Sequence, residues 1–323
     1  MEVSIAQSAK LLDGASNIVL TTHIHPDGDA LGSLLALYHF LAAQGKKVRM
    51  VLDDEIPQAF KFLKAWEKIE KPGNTLQPAD LLVVLDASDL ERIGEVKLAV
   101  KAPILNLDHH ISNVKFAEYW YIDSQAAATG EIIFKLFKEY ASQITADMAE
   151  ALFTAIATDC GFFRYANTSA QTLRFAAELV DLGAKPHVIS EYLDTKPRLV
   201  IEMLPKVIGT LEITGSNHSG QIASIVLTRD VVAKLKDDTD GFINYPRNID
   251  GVELAIMFKE VDESCVRVSL RSKNVDVSKL ALAFGGGGHA RAAGCTVNEP
   301  LIQAKKVIIS AANELLNQGR LAQ

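Results

Sequence analysis

The 323-residue sequence contains no apolar run approaching the ~18 residues that a membrane-spanning helix needs, so no membrane span is expected. Its first residues, MEVSIAQSAKLLDGAS, lack the basic start and apolar stretch of a secretory signal. Cysteine is scarce: Cys160, Cys265 and Cys295 are odd in number and show no CxxC spacing. That pattern argues against a disulfide framework or a thiolate zinc knuckle, and for a reducing compartment, the cytoplasm. Positive charge is short as well, with 33 Lys+Arg against 40 Asp+Glu and a formal net charge of −7. Proteins that coat long nucleic acid present a basic face to the phosphate backbone, and this balance disfavours one. Phosphate can still be held locally, where metal ions and a few arginines set the field of a cleft.

What is present is an ordinary globular balance, 48% hydrophobic and 23% charged, on a chain long enough for two domains of roughly 100–200 residues each. The first half alternates short apolar runs with helical spacing. Ile18–Thr22, Lys47–Leu52, Leu81–Leu85 and Ile104–Leu107 read as strands, and Leu31–Gln44 as a helix closed by Gly45. Short continuous apolar strands between helices predict an α/β fold, a mostly parallel sheet with helices on both faces. Glu131–Tyr140, Ala146–Thr158 and Ser169–Leu182 have amphipathic spacing, with Thr145 and Thr168 as expected N-caps. Pro186–Leu211 reads as a helical connector interrupted by Pro197 and Pro205. Strands at Gln221–Leu227, Val252–Lys259 and Val266–Leu270 follow, then a helix, a glycine cluster and a last helix from about Leu301 to Asn317. These predict a second, smaller α/β domain with a mixed sheet. The expected division is 1–190, a linker over 191–212, and 213–323.

Three of the four N-terminal strands run into His or Asp: His23, Asp86, and Asp108-His109-His110. In open α/β sheets the C-terminal strand edge is where ligands bind. A single such Asp is more simply a turn former; three sites in a row, with histidines among them, point to a centre. In HIHPDGD, one His and two Asp offer mixed nitrogen and oxygen ligation, which suits Mn²⁺, with Mg²⁺, Fe²⁺ and Co²⁺ as competitors. The alternative for that segment is a Pro-Asp-Gly turn with an Asp helix cap. Asp86, at the mouth of a buried strand, is placed to bridge two ions, whereas Asp89 reads as a cap. One of His109 and His110 can ligate, Asp108 can fix a tautomer from behind, and the other histidine can face substrate phosphate. Asp159 ends an apolar helix, where an acid opposes the macrodipole and a metal would account for it. Cys160 beside it reads as a small buried filler. In Gly285-Gly286-Gly287-Gly288-His289, successive glycines allow backbone amides to converge on an anion, with a flexible linker as the alternative. Arg271 and Ser272 close the strand before it, and Arg247 is a weaker candidate in a loop.

Taken together, HIHPDGDALGS, Asp86, LDHH, TDCGFF and FGGGGHARAAG resemble the motifs of the DHH phosphoesterase superfamily and its DHH-associated domain, over nearly the whole chain. The resemblance implies two Mn²⁺ ions: His23 and Asp27 on one, Asp29, His109 and Asp159 on the other, and Asp86 between them. It also implies substrate contacts from His110, Arg271, Ser272, Gly286, Gly287, Gly288 and His289, and hydrolysis assisted by Asp86, Asp108 and His110. Two positions depart from the usual pattern, His25 for Asn and Cys160 for Thr; neither removes a ligand. Among superfamily members, length and domain order resemble the small ones. Those degrade short oligoribonucleotides of 2–5 nucleotides and dephosphorylate 3′-phosphoadenosine 5′-phosphate, as homodimers without long nucleic acid or membrane partners. Action on cyclic dinucleotides or their linear products is the alternative, and a nucleotide-binding sensor without turnover the non-enzymatic one.

Overall fold

The computed structural model describes residues 1–73, 77–140, 143–216, 220–235, 239 and 241–318, the side chains of Gln77, Ser216 and His289 excepted. The chain divides into two compact units, Met1–Thr195 and Lys196–Gln323.

The first unit opens with α1 (Ile5–Gly14), β1 (Asn17–Thr21), α2 (Gly28–Ala43), β2 (Lys47–Val51) and β3 (Ile69–Glu70). It continues through β4 (Gln77–Pro78), β5 (Leu81–Leu85), α3 (Val96–Ala99), β6 (Val100–Lys101), β7 (Ile104–Asp108) and β8 (Tyr119–Ile122). Four helices complete it: α4 (Thr129–Glu139), α5 (Ala146–Asp159), α6 (Ala170–Asp181) and α7 (Pro186–Asp194). Its main sheet is parallel in every pairing and runs β3-β2-β1-β5-β7-β8. The reason lies in strands such as LLVVL, apolar on both sides, which only a sheet covered twice can bury. Ile18, Leu20, Val83 and Leu85 pack with residues of α1, α2, α4 and α5, while Val19, Leu82 and Val84 meet Ile93 and Val96 on the opposite face.

Capping follows the sequence with one displacement. Thr145 caps α5 by accepting the Met148 amide, and Gly45, at φ +77°, follows the end of α2. The cap of α6 is Ser169, one residue beyond the expected Thr168, because Ser169 and Thr172 satisfy each other's amides in a capping box.

The second unit comprises α8 (Arg198–Ile208), β9 (Glu212–Ser216), β10 (Gly220–Leu227), α9 (Arg229–Leu235), α10 (Asn244–Arg247) and β11 (Val252–Glu260). There follow β12 (Val266–Ser272), α11 (Val277–Ala283), β13 (Gly287–His289), β14 (Ala292–Val297) and α12 (Leu301–Gln318). The sheet order is β13-β14-β12-β11-β10-β9, and it is mixed: β10 and β11 are parallel and the other pairs antiparallel. Ile256, Val268 and Leu270 face the α11–α12 side, whereas Ile225, Leu227 and Ala255 pack with residues of α8 and α9. The stretch expected to connect the units is thus shared between them. Helix α7 lies in the first, and α8 buries Val200, Met203 and Val207 in the core of the second. Among the described residues, no helix is long and apolar enough to cross a membrane.

Candidate metal centre

Strands β1, β5 and β7 are neighbours in the sheet and parallel, so their C-terminal ends share one edge. His23, Asp86 and His109 follow those ends directly or within two residues. Asp29 comes from the first turn of α2 and Asp159 is the last residue of α5. These two helices can approach only because α2 carries glycine: a Cβ on Gly28 would lie 2.3 Å from Thr158 Oγ1, and one on Gly32 2.3 Å from the Ala151 carbonyl. Asp27 is both things the sequence offered. It caps α2, accepting the Ala30 amide at 3.0 Å, and it stands 3.9 Å from His23 Nε2.

The donor atoms fall into overlapping groups. His23, Asp27 and Asp86 form one; Asp29, His109 and Asp159 another; Asp86 also lies with His109 and His110. His23 Nε2 is 3.5 Å from Asp86 Oδ2, and His109 Nε2 is 3.6 Å from Asp86 Oδ1, 3.7 Å from Asp29 and 3.6 Å from Asp159. These separations exceed a hydrogen bond, as donors arranged around a common centre require. Both rings are aimed from behind: His23 Nδ1 meets the Ile24 carbonyl at 2.8 Å and His109 Nδ1 that of Ala126 at 3.3 Å, which leaves each Nε2 turned inward. Asp86 itself sits at φ +55°, a conformation uncommon for residues with a Cβ and tolerated best by Asp and Asn.

The sequence placed Asp108 behind a ligating histidine; the structure assigns it to His110. Asp108 Oδ1 lies 2.7 Å from His110 Nδ1, and its other oxygen accepts Asn113 Nδ2 at 2.6 Å. Burial opposes a charge on His110, but Asp108 and Asp86 outweigh it and raise the imidazole to about 9. Around it the carboxylates are in tension. Burial, then Asp86, Asp159 and Asp27, push Asp29 well above the carboxylate range, and burial likewise lifts Asp159 to about 7. Asp86 is as buried, yet His23, His110 and His109 hold it below its ordinary value. Among the described residues, no lysine or arginine pairs with any of these acids. Four carboxylates compensated by imidazoles alone, with no sulfur donor, are a set that divalent cations complete. Cys160 is turned away, its Sγ donating to the Ile156 carbonyl.

Residues 17–156 match the DHH family, N-terminal domain, and residues 228–318 the DHHA1 domain. A bifunctional oligoribonuclease and PAP phosphatase NrnA of Thermus thermophilus is 33% identical over 98% of this chain and 94% of its own length. The chain belongs to the DHH family. A protein of the same printed name from Bacillus subtilis is 25% identical over 92% of this DHH chain and 93% of the relative. Among solved structures, an exopolyphosphatase-related protein from Bacteroides fragilis superposes with a TM-score of 0.88 at 27% identity, covering 98% of this chain and 97% of that one. Membership makes the protein a phosphoesterase, a hydrolase of phosphate ester bonds.

Several residues that hold this DHH site had no signal in the motifs. Thr129 Oγ1 donates to Asp86 at 3.1 Å, and the Thr129 and Gly130 amides donate to Asp29. Asn106 donates to the Val84 and Ala87 carbonyls, tying the ends of β5 and β7. Asp89, expected as a helix cap, accepts the Arg92 amide at 3.0 Å, but the turn that follows is a short 3-10 one flanked by Leu90. His25 lies exposed at φ +56°, its amide and Nδ1 both on Asp54.

In the second unit the glycine cluster is a strand and its approach rather than an open cradle of amides. The Gly285 and Gly286 amides donate to the Leu282 and Ala281 carbonyls, and Gly287–His289 pairs with β14 at the sheet edge. Closeness requires two of the glycines: a Cβ on Gly286 would stand 2.1 Å from the Gly294 carbonyl, and one on Gly288 2.6 Å from that of Ala292. Gly287 and Gly288 are exposed along this edge strand, and the His289 side chain lies outside the described residues. Arg271 is half-buried, and its Nη1 donates to the Leu270 carbonyl at 3.0 Å. Ser272 is 1% exposed and its hydroxyl donates to the Val275 carbonyl, which places it in the frame beneath the hairpin.

Proposed function

We propose that this protein uses two Mn²⁺ ions to hydrolyse oligoribonucleotides of a few residues and to release phosphate from 3′-phosphoadenosine 5′-phosphate. The observation that carries the reading is that Asp86 belongs to a donor group with His23 and Asp27 and lies 3.6 Å from the His109 that anchors the other. In this assignment His23 and Asp27 hold one ion, Asp29, His109 and Asp159 the second, and Asp86 both. The names of the Thermus and Bacillus relatives supply the substrate classes. Free cysteines throughout support a reducing compartment, the cytoplasm.

When bound there, two divalent cations would lower the pKa of a water and neutralise charge on phosphoryl oxygens. The protein's own side chains do the rest. Asp108, itself held by Asn113, fixes His110 so that its Nε2 can donate to the phosphate or to the leaving oxygen. In the second unit, Arg271, Gly286 and the Gly287–His289 strand are the proposed substrate contacts.

The test is a turnover panel of dinucleotide, long RNA, cyclic di-AMP, 3′-phosphoadenosine 5′-phosphate and pyrophosphate, with Mn²⁺ and after chelation. The dinucleotide or the bisphosphorylated adenosine should be cut fastest, and both activities should vanish on chelation or in Asp86→Ala. Preference for pyrophosphate, or processive digestion of long strands, would overturn the assignment.

A further inference from the structure

Residues paired directly across an antiparallel ladder share one face, and like charges so placed destabilise the sheet. Lys259 of β11 and Arg267 of β12 are such a pair. Among the described residues neither has a carboxylate partner. Lys259 Nζ reaches only Thr239 Oγ1, at 3.3 Å, and the neighbouring acids Glu260 and Glu263 are both engaged by Arg229. Two adjacent cations left in this way are what an anion would offset.

The surface around them has the form of a shelf. Val266, Val268 and Leu270 point into the α11–α12 core, so Arg267, Ser269 and Arg271 line the other face. That face is packed by α8 and α9 over β10 and β11, where Ala255 and Met257 are buried, but it is open over β12 and β14. Its floor is small: Ser269 pairs with Gly294, which pairs with Gly287, and a Cβ on Gly287 would meet nothing within 4 Å. Arg271 pairs with Ala292, and Ala292 with His289, so the residues already assigned to substrate lie at one end. Arg267 stands four residues along the strand, about 13 Å away at a strand's rise per residue.

We infer that Lys259 and Arg267 form a second phosphate subsite, which takes a phosphodiester of an oligonucleotide whose neighbouring part lies at Arg271 and β13. This rests on the oligonucleotide reading above. The paired cations recognise an anion, the small floor leaves room for a nucleotide between the two positions, and β12 begins at Val266, one residue beyond Arg267, so the track ends there. Such a shelf engages substrates of a few nucleotides and gives nothing further to longer ones.

The experiment compares kcat/KM for a pentanucleotide and a dinucleotide, with Mn²⁺, in the full chain and in Arg267→Gln, Lys259→Gln and Arg267→Lys. Loss of a charge-assisted contact should lower the pentanucleotide-to-dinucleotide ratio roughly tenfold in each Gln variant, with Arg267→Lys keeping most of it. The salt dependence of pentanucleotide KM should also lose a log–log slope of about 0.7 per contact removed. The thermal midpoint should not fall, because a like-charge pair has been relieved. An unchanged ratio, or a ratio that drops only together with the midpoint, overturns the subsite. A wild-type chain that cleaves neither oligonucleotide refutes the functional reading beneath it instead; cleavage of both with an unmoved ratio in the variants refutes the subsite alone.

Discussion

Asp29 Oδ2 accepts the amide of Thr129 at 2.6 Å across 100 residues of chain, and its Oδ1 accepts that of Gly130 at 2.9 Å. A candidate ligand of the centre is therefore also the cap of α4, satisfying amides that no turn of that helix can reach. Asp159 is lifted by burial as Asp29 is, but among the described residues its carboxylate accepts no main-chain amide. In chelated protein, Asp29→Ala should lose about 2 kcal/mol, the worth of two hydrogen bonds from buried amides, while Asp159→Asn should lose nothing. Denaturant melts in excess chelator measure both. Equal losses would mean that Asp29 has no such separate structural role.

The pairing of Asp108 with His110 predicts a kinetic signature. Asp108→Asn leaves the donors of the centre in place but removes the carboxylate that orients the imidazole. We expect kcat to fall about 100-fold, the scale of a general acid's contribution, with KM changed little. An effect confined to KM would place His110 in ground-state binding.

Thiol chemistry should separate the three cysteines. Burial pushes the Cys160 thiol up and takes Cys295 to about 11, so at pH 8 neither offers appreciable thiolate. Cys265 is half-exposed. Alkylation of native protein at pH 8, read by peptide mass mapping, should modify Cys265 first, and the other two only after denaturant is added. Early labelling of Cys295 would show that β14 opens readily.

The glycine strand should respond to substitution position by position. Gly286→Ala places a methyl against the Gly294 carbonyl and Cys295, both fixed by the sheet, and should cost about 1–3 kcal/mol. Gly287→Ala faces open space and should stay within about 0.5 kcal/mol of wild type. Thermal melts of the two variants check the contrast, which a loosely held loop would not show.

Much of this was legible in the sequence, because the determining contacts are local. Apolar runs ending in His or Asp marked both the sheet and its working edge, and Thr145 and Gly45 announced helix ends. What escaped was non-local. Nothing in Thr129-Gly130 signals that their amides meet Asp29, and Asp108 could be placed behind a histidine but not behind His110 rather than His109. The tyrosine- and tryptophan-rich β8 carries no strand signal because it is half-buried at the sheet margin and lacks the continuous aliphatic run of the inner strands. The glycine tract suggests an anion-binding turn of amides because the closeness of β14 to Gly286 and Gly288 appears only on folding.

The three inner strands that carry His23, Asp86 and His109 are held side by side by main-chain bonds, in a ladder whose pitch no side chain sets. Evolution can exchange the residue at any rung of this edge, and so empty or fill a position, but it has no point mutation with which to widen the rungs. Variation among proteins built on this frame should therefore concentrate in what is offered to the edge, leaving the gauge of the edge unaltered.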